Sequence, residues 1–562
     1  MRKYLIKKVM LLLVIISGFL CPTVAYSNQS RSAVGCQKRV VLRKNIVNGK
    51  NILTQSMINK PNTTYIIRRD YLLSEDITIP ANCVLKFRGG SICGGRITGS
   101  NTIIKYKSQV FDHVDLKGSW NVPVIHSDMF TEKEDDNFLP KLFQLCNKDI
   151  HNDVIIDPGT YLVHTKTTGY TIPVVYSNTT IEIQGTIKID SDNRDGGLGF
   201  ICTGEDIHIK GEGKIIGDRS TNTSDTEWSP VFFCNNCDNL IIEGITIEDS
   251  YGDGVYCRYN CNNVKIEGVT FINNRRCAVA FNSGRNNIIK NCVFIGNGGR
   301  APGCAVEFEN DGSDVDIPIV NCSVVDNYFK QNDRDIVLGA GNTYTDNIVI
   351  KGNKSESSVK SFFSMPGMKS NYAIKNVFIE GNTVSGCFMF ANACFKYKAV
   401  IRGNTIKTEA SDEKIPCLNI KGNVLCEDNS IYCPNMPVFE NTYGGYYDSE
   451  FDILNNEITA LNGILQLNNS TLKGNNFVLN HLSLFLYNQS ECKDNRFKGT
   501  LSSGHLLYLG LNDSEFNEND LDFNNTPNCG IKLVRKIGKS SMENNSYKNV
   551  SSRSSVIDGN VE

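Results

Sequence analysis

The sequence carries almost no net charge, because 58 Lys and Arg stand against 60 Asp and Glu and leave a balance of −2. Recognition of a nucleic acid or an anionic membrane needs a large basic excess, so no nucleic-acid partner is expected. An acidic polysaccharide held by a local basic cleft is not excluded by net charge. Tryptophan is scarce, with two residues, and the seven histidines are scattered. The remaining composition is that of an ordinary globular protein.

Long apolar runs are absent except at the N-terminus. Residues 2–8 carry four basic side chains, residues 9–20 are apolar, and small residues at 25–27 follow at the offset of a cleavage site. We therefore predict a signal peptide over residues 1–27. The bulky Leu20 directly before Cys21 argues against a lipid-attachment site. No later segment approaches the roughly 18 apolar residues that span a membrane, so the sequence predicts an exported protein: secreted, periplasmic or at the cell surface.

Zinc-type ligand spacing is lacking among the cysteines. Twenty of the 21 remain once Cys21 is removed, an even number in a compartment that permits disulfides. Cys234 and Cys237 have CxxC spacing but no second pair at zinc-ribbon distance, so no metal is predicted there. A disulfide such as Cys257–Cys261 stays open. Other cysteines occupy apolar repeat positions, where a small hydrophobe fits a packed interior: Cys257, Cys277, Cys292, Cys304 and Cys322.

A short pattern recurs thirteen times along the chain: a Gly, Asn or Asp, then a turn residue, then an apolar residue two places on. Early copies are Glu243–Ile247 and Glu267–Phe271, and the last is Asn544–Tyr547. Self-similarity at about 20–30 residues indicates a solenoid. A leucine-rich repeat is excluded because no regular leucine frame exists. From residue 353 onward the second residue of each of nine copies is an Asn: Asn353, Asn382, Asn404, Asn429, Asn456, Asn475, Asn495, Asn519 and Asn545.

The residue types of the repeat predict short strands joined by tight bends. In Val264–Gly268 apolar residues alternate, which places every second side chain inward. Glycine and asparagine tolerate positive φ and suit the bends. An Asn repeated at one bend can stack on its neighbours and share amide hydrogen bonds along the axis. The pattern therefore predicts an all-β protein built as a parallel β-helix solenoid over residues 150–550.

Two regions fall outside this register. Residues 45–125 hold short apolar segments with paired glycines and predict a small β-rich N-terminal module. Residues 134–148 form one amphipathic stretch that predicts a short capping helix. Such a helix would cover the open first coil, whose strand edges would otherwise be unpaired.

Several segments carry a resemblance to a known family. Asp157–Tyr161 resembles its P-x-G-T-Y turn and His208–Arg219 its I-x-G-x-G-x-I-x-G-D-R coil, while Gly252–Tyr256, Asn273–Arg276 and Ala301–Glu309 resemble later motifs. The family is the pectate lyase-like right-handed parallel β-helix superfamily, including glycosyl hydrolase 28-related proteins of gut bacteria and phage tailspikes. The resemblance covers residues of about 150–345. It implies the fold more specifically than the chemistry, because such solenoids include hydrolases, lyases and inert shafts.

Candidate catalytic residues follow from aligning the four segments that begin at Asp253, Arg276, Gly303 and Arg334. Glu307 and Glu309 share one face, which should be outward because Val306 and Phe308 are their apolar partners. Coils rise by about 4.8 Å, so Asp253 and Glu307 would lie roughly 9–10 Å apart along the axis. That value is near the upper edge for inverting glycosidases, about 6.5–9.5 Å.

In the hydrolase interpretation, Asp253 or Glu307 is the general acid and the other activates water. Arg276 then orients a sugar hydroxyl or carboxylate. No cofactor is needed for this chemistry. The predicted partner is a polysaccharide, and the oligomeric state is left undetermined.

Two other interpretations stay open. In a lyase, Arg275 or Arg276 would abstract a proton while Asp253, Glu307 and Glu309 hold Ca²⁺. In a non-catalytic binding shaft, outward charges simply pair across the ladder. The resemblance adds substrate-binding candidates: Asp218, Arg219, Glu227 and, as a sugar-stacking wall, Trp228.

Departures from the family pattern weaken the enzymatic case. The family's Q-G-I is Cys277–Val279 here, its Asp is Glu307, and its E-P-N is represented by Glu309 and two further residues. The N-T-D, D-D and G-H-G motifs of typical polygalacturonases are absent. Replacing Asp by Glu moves a carboxylate by about one methylene, which can abolish catalysis without changing the fold.

Overall fold

The structure is a computed structural model, and the residues that it describes are 38–131, 138–164, 173–190, 198–225, 227, 229–310, 317–339, 343–365, 374–386, 390–391, 393–409, 416–439, 450–500, 504–525, 529–551 and 557–558. Within them the chain forms long sheets of parallel strands. The predicted β-helix is therefore confirmed. The predicted signal peptide, residues 1–27, lies outside the described residues.

One coil of the solenoid contributes three strands. Ile241–Glu243, Thr246–Glu248 and Val255–Arg258 each pair in parallel with the corresponding strand of the next coil, 24 residues later along the register. Alternate side chains point into a single continuous apolar core. This stacking buries the core coil by coil, as a solenoid requires.

The strands are grouped into six sheets. The 17-stranded sheet contains Val124–His126, Asn152–Ile156, Thr179–Ile183, Ile207–Gly211, Ile241–Glu243, Lys265–Glu267, Gly284–Arg285, Ile288–Lys290, Ile319–Val325, Thr345–Lys351, Ile374–Glu380, Ala393–Arg402, Ile420–Glu427, Phe451–Leu454, Thr471–Lys473, Glu491–Lys493 and Glu515–Asn517. The 16-stranded sheet contains Thr160–His164, Thr186–Asp190, Lys214–Ile216, Thr246–Glu248, Thr270–Ile272, Val293–Ile295, Tyr328–Lys330, Lys354–Ser358, Thr383–Gly386, Thr405–Lys407, Ser430–Cys433, Glu457–Ala460, Asn476–Leu479, Arg496–Gly499, Asp520–Asp522 and Ser546–Lys548. The nine-stranded sheet contains Val174–Val175, Phe200–Glu205, Phe232–Asp238, Val255–Arg258, Cys277–Phe281, Cys304–Glu309, Arg334–Gly339, Ser361–Ser364 and Phe390–Ala391. A five-stranded sheet of the later coils contains Asn462–Asn468, His481–Tyr487, Leu507–Asn512, Ile531–Ile537 and Ile557–Asp558.

The N-terminal module is also built mostly from parallel strands. Its six-stranded sheet contains Lys38–Val41, Thr63–Ile67, Ile77–Thr78, Val84–Phe87, Arg96–Lys105 and Asp115–Asn121. Its five-stranded sheet contains Ile46–Val47, Lys50–Leu53, Tyr71–Leu73, Ile92–Cys93 and Phe111–Asp112. Two short 3₁₀ helices are Gln55–Met57 and Ser127–Met129. The module therefore begins before residue 45, and the expected boundary at residue 125 falls inside a strand of the 17-stranded sheet.

The capping helix is shorter than the expected 134–148. The structure places it at Phe138–Phe143, and residues 134–137 lie outside the described part of the chain. The helix ends there because Leu145 and Cys146 donate to the carbonyls three residues before them, which is the tighter 3₁₀ pattern. Its buried side chains include Phe138, Leu142 and Phe143, which join the core.

The two residues of the repeated turn have different roles. The first adopts positive φ, as at Gly244, Asp428 and Glu518. The second, where it is Asn, is buried and donates through Nδ2 to Oδ1 of the next Asn over 2.9–3.1 Å along the whole series from Asn327 to Asn545. The predicted Asn ladder is present.

The cysteines that the structure describes are free thiols, Cys257 and Cys261 included. Cys261 Sγ donates to the carbonyls of Cys234 and Arg258. Cys234 and Cys257 are in-register neighbours inside the core. The disulfide left open at Cys257–Cys261 is therefore not formed in this structure.

Candidate functional site

The predicted stack of four strands lies in the nine-stranded sheet. The inward column is Val255, Val279, Val306 and Ile336, and all four are buried. The expected alignment paired Val255 with Ala278, one residue away from the observed register. The coil of Arg276 contains one extra residue at the start of its strand, so Cys277 and Ala278 together lie opposite Gly254. This one-residue shift stacks the β-branched side chains of Val255 and Val279 in the core.

The next column points outward, as expected for Glu307. It contains Tyr256, Ala280, Glu307 and Val337. These side chains are nevertheless buried, and Glu307 is only 3% exposed. Tyr256, Ala280 and Val337 form a small apolar cluster with Phe233. The outer face of the sheet is therefore covered here, and Glu307 sits in a low-dielectric environment.

Asp253 is positioned by the two glycines that flank it. A Cβ at Gly252 would lie 2.7 Å from the backbone of Ser229, and a Cβ at Gly254 would lie 2.6 Å from the Ala278 carbonyl oxygen. Only glycine allows the turn to approach the neighbouring coils this closely. The Gly-Asp-Gly motif thus brings the Asp253 carboxylate to the start of its strand.

Asp253, Arg276 and Glu307 form one connected group across three coils. Arg276 Nη1 lies 3.0 Å from Asp253 Oδ2 and 3.5 Å from Glu307 Oε2. Because one nitrogen makes both contacts, these two carboxylate oxygens lie at most about 6.5 Å apart. The expected 9–10 Å is therefore too long, since the Arg276 side chain draws the carboxylates toward each other.

Burial dominates the electrostatics of the two carboxyls. Burial raises the pKa of Asp253 despite the opposing effect of Arg276 and of the Cys277 N–H, which donates to Oδ1 over 3.0 Å. Burial also raises the pKa of Glu307 well above its usual value, and the nearby Glu309 and Asp253 carboxyls raise it further, while Arg276 lowers it. Asp253 in turn holds the pKa of Arg276 above its usual range. The arrangement favours a protonated Glu307.

Glu307 has one oxygen engaged and one oxygen available. Oε2 accepts from the Cys277 thiol over 3.4 Å, and Cys277 Sγ lies 3.5 Å from Cys304 Sγ. Oε1 is buried and has no hydrogen-bond donor among the described residues. The nearby Glu309 carboxyl raises the pKa of Glu307.

These groups line a cavity of about 160 Å³, to which Asp253, Arg276, Glu227, Glu307 and Glu309 contribute. The volume is below the roughly 300–1,000 Å³ of typical ligand pockets. An oligosaccharide would therefore place only part of one sugar inside it.

Three polar residues that line the cavity are not among the predicted site residues: Tyr256, Arg258 and Asn282. Tyr256 and Arg258 follow Asp253 on the same strand, and Asn282 donates to the Glu309 carbonyl over 3.4 Å. Strict alternation from the inward Val255 would have placed Tyr256 and Arg258 on the outer face.

Three of the remaining candidates, Arg275, Arg219 and Asp218, are not among the residues that line the cavity. Arg275 stacks 3.7 Å over the Tyr251 ring and donates from Nε to its carbonyl, and Arg219 donates to the Asn273 carbonyl over 2.7 Å. Asp218 accepts from Asn222. Glu227, which does line the cavity, lies 3.3 Å from Arg300 Nε. Trp228 lies outside the described residues.

Convergent metal ligands are found elsewhere. Within the described ranges, three potential metal-ligand atoms lie close together on His126, Asp128 and Asp157. The carboxylates of Asp253, Glu307 and Glu309 do not form such a group, because the Arg276 guanidinium bridges Asp253 and Glu307.

Comparisons with known proteins agree with this fold. Residues 165–324 match the family model of a right handed beta helix region. The uncharacterized protein YclG of Bacillus subtilis (strain 168) is 30% identical over 243 residues, which are 37% of this chain and 41% of that protein. The chain thus matches only about two fifths of that relative's length.

Solved structures with a similar course are more distant. The tailspike protein of E. coli bacteriophage HK620 in complex with a pentasaccharide is 13% identical, with 72% of this chain and 73% of that chain covered and a TM-score of 0.34. A family 28 exopolygalacturonase of Yersinia enterocolitica is 13% identical, with 80% of both chains covered and a TM-score of 0.37.

The family match and the parallel strand pairing together define a right-handed parallel β-helix protein. The fold that the sequence predicted, a right-handed parallel β-helix, is confirmed. No helix in the described part of the chain is long and apolar enough to cross a membrane.

Proposed function

We propose that the protein is an exported glycoside hydrolase that cleaves a polysaccharide at the cavity beside Glu307. The observation that carries the proposal is the environment of Glu307: a buried carboxyl with a raised pKa that lines a cavity next to a second carboxyl, Glu309. A carboxyl that stays protonated near neutral pH is what a general acid requires.

Glu307 is the proposed acid and Glu309 the proposed base. Glu307 donates its proton to the glycosidic oxygen while the bond from that oxygen to the anomeric carbon breaks. Glu309 accepts a proton from the water whose oxygen bonds to the same carbon. Solvent then takes the proton from Glu309 and returns one to Glu307, which restores the starting state.

Asp253 and Arg276 are better suited to positioning than to proton transfer. Both Asp253 oxygens accept from Arg276 Nη1, and Oδ1 also accepts the Cys277 N–H. A buried, paired carboxylate of this kind keeps its partner fixed. Arg276 therefore holds Glu307 Oε2 in place, and the assignment of Asp253 as acid or water-activating base is replaced by a supporting role.

The lyase alternative has less support. A lyase base must accept a proton, whereas Asp253 holds the pKa of Arg276 above its usual range and keeps the guanidinium charged. Arg275 is turned toward Tyr251 and does not line the cavity. Ca²⁺ held by the three carboxylates would compete with Arg276 for the same space.

The test is a panel of plant and host polysaccharides incubated with the wild type, Glu307→Gln and the control Glu491→Gln, whose carboxylate is exposed on a distant strand. We expect the wild type and the control to release reducing ends from at least one polymer. Glu307→Gln should be slower by about 10²–10⁴-fold, the usual contribution of a general acid.

Two outcomes would contradict the proposal. Unsaturated products absorbing in the ultraviolet would identify a lyase. Binding of a polymer without release of either product across the panel would identify a binding shaft.

A further inference from the structure

The N-terminal module contains a second cavity, of about 520 Å³, whose walls are strongly basic. We call it the basic cleft and define it by four cations that line it: Lys86, Arg88, Lys105 and Lys107. Its volume falls within the roughly 300–1,000 Å³ typical of ligand sites. The cleft is separate from the cavity at Glu307, with which it shares no lining residue.

The strand register forces these cations together. Lys86 and Lys105 are direct partners on adjacent parallel strands, Val84–Phe87 and Arg96–Lys105. The buried Leu85 and Phe87 flank Lys86 and turn its side chain to the opposite face of the sheet. Like charges placed directly opposite each other destabilise a sheet, so an anion bound between them would stabilise the pairing.

The residues that the structure describes do not supply that anion. Within the described ranges, none of the four cations forms an ion pair with a carboxylate. The same sheet pairs its other cations: Arg96 lies 2.8 Å from Asp115, and Lys117 lies 3.4 Å from it. The pKa of Lys86 is lowered by Arg88, by burial and by Arg39 and Lys105, as expected where like charges lie close together.

The cleft also has the parts that bind a sugar acid. Arg88 presents a guanidinium whose planar fork matches a carboxylate or sulfate group. Tyr106 forms part of the wall, and its hydroxyl accepts the His126 N–H over 3.0 Å, which fixes the ring. Gly89 adopts φ +87° at the turn after Phe87 and leaves open space where a side chain would project.

We propose that the basic cleft binds the anionic groups of an acidic polysaccharide. Nucleic acid is a poorer fit, because the chain as a whole carries a net charge of −2 and lacks the basic field that nucleic-acid recognition uses. The ligand chemistry is a carboxylate or sulfate group on a sugar chain. This inference does not depend on hydrolysis at Glu307, since a binding shaft could use the same cleft.

The test measures binding of the full chain to four probes by titration calorimetry: polygalacturonate, heparin, neutral dextran and a DNA oligonucleotide. The variants are the double substitution Lys86→Gln/Lys105→Gln and a control of equal charge change, Lys188→Gln/Lys532→Gln, at exposed strand positions elsewhere. Arg88→Gln serves as a second variant if the double substitution lowers the yield of folded protein.

We expect one or both acidic polysaccharides to bind the wild type and the control, and dextran not to bind. The cleft variants should bind at least about tenfold more weakly. Affinity should fall as salt rises from about 0.05 to 0.5 M, because screening weakens charge contacts. Polygalacturonate and heparin separate carboxylate from sulfate recognition.

Equal binding of cleft variants and wild type would overturn the proposal, as would tighter binding of DNA than of either polysaccharide. Binding lost in the cleft variants but retained in Glu307→Gln would show that the cleft acts independently of the site proposed for hydrolysis. A Glu307→Gln variant that loses hydrolysis but keeps cleft binding would support both proposals, because each site would then act without the other.

Discussion

The Glu309 side chain lies directly over Gly339 on the neighbouring coil. A Cβ at Gly339 would come within 2.7 Å of Glu309 Cγ, although the Gly339 backbone itself is not in the left-handed region. The residue at 339 thus determines where the Glu309 carboxyl can go, because its lack of a side chain leaves the space that Glu309 fills.

Gly339→Ala should displace Glu309 and lower the rate of hydrolysis by more than about tenfold, because small displacements of a reacting group cost large factors. The melting temperature should change little, since alanine suits a strand backbone. Gly463→Ala is the matched control, with its nearest neighbour at 3.2 Å and no contact with the site. Equal rates for Gly339→Ala and Gly463→Ala would show that the position of Glu309 is irrelevant.

The pH dependence of hydrolysis should report the protonation of Glu307. The rate of hydrolysis should fall as pH rises through the raised pKa of Glu307. This fall in the pH–rate profile should lie above the usual glutamate pKa of about 4.3. Asp253→Asn should move that fall to lower pH, because it removes a carboxylate that raises the pKa and frees Arg276 to pair with Glu307. If the fall in rate occurs at the same pH in Asp253→Asn as in the control Glu491→Gln, Asp253 does not influence the pKa of Glu307, and the prediction is contradicted.

Asp335 should make stability depend on pH. It is fully buried and accepts from Asn332, Ser355 and Ser358, yet burial raises its pKa to about 6. Between about pH 4 and pH 6 the folded state keeps a proton that the unfolded state has lost, so the free energy of unfolding falls as pH rises. The fall should total about 3 kcal/mol.

Asp335→Asn should lack this fall. The melting temperature of the variant relative to the wild type should therefore rise from pH 4 to pH 7 (about the window set by the two pKa values). Parallel pH curves for the two proteins would show that Asp335 does not titrate in this range.

The Asn ladder allows a comparison between adjacent residues. Asn475 is buried and accepts both the backbone N–H and the Nδ2 of Asn456, whereas the partly exposed Asn476 donates to Glu457 on the surface. Asn475→Ala leaves the buried backbone N–H of Asn456 without its acceptor, while Asn456 Nδ2 keeps the carbonyls of Cys426 and Leu454, and should cost about 1–3 kcal/mol. Asn476→Ala should cost less than about 1 kcal/mol, measured as denaturant midpoints. Similar midpoints would mean that the ladder contributes little.

The repeat was sufficient to predict the fold, because each copy encodes one bend and one inward residue. The positive φ at positions such as Gly244 and the buried series from Asn327 to Asn545 follow from the residue types alone. The end of the helix at Phe143 does not follow, because hydrogen bonds to preceding carbonyls decide it rather than the apolar pattern.

The site was predictable in part. The proximity of Asp253, Arg276 and Glu307 follows from aligning successive coils, but their spacing does not, because it depends on a one-residue register and on how Arg276 extends between them. The basic cleft is harder to foresee. Lys86 and Lys105 are nineteen residues apart, and only the observed pairing of their strands places them side by side.

The most direct test of the account is hydrolysis of the active polysaccharide in water enriched in heavy oxygen, followed by mass spectrometry of the products. Hydrolysis through Glu307 and Glu309 predicts one solvent oxygen at each new reducing end, with product formation slowed by about 10²–10⁴-fold in Glu307→Gln and retained in Glu491→Gln. Products without solvent oxygen, or undiminished product formation by Glu307→Gln, would contradict the account.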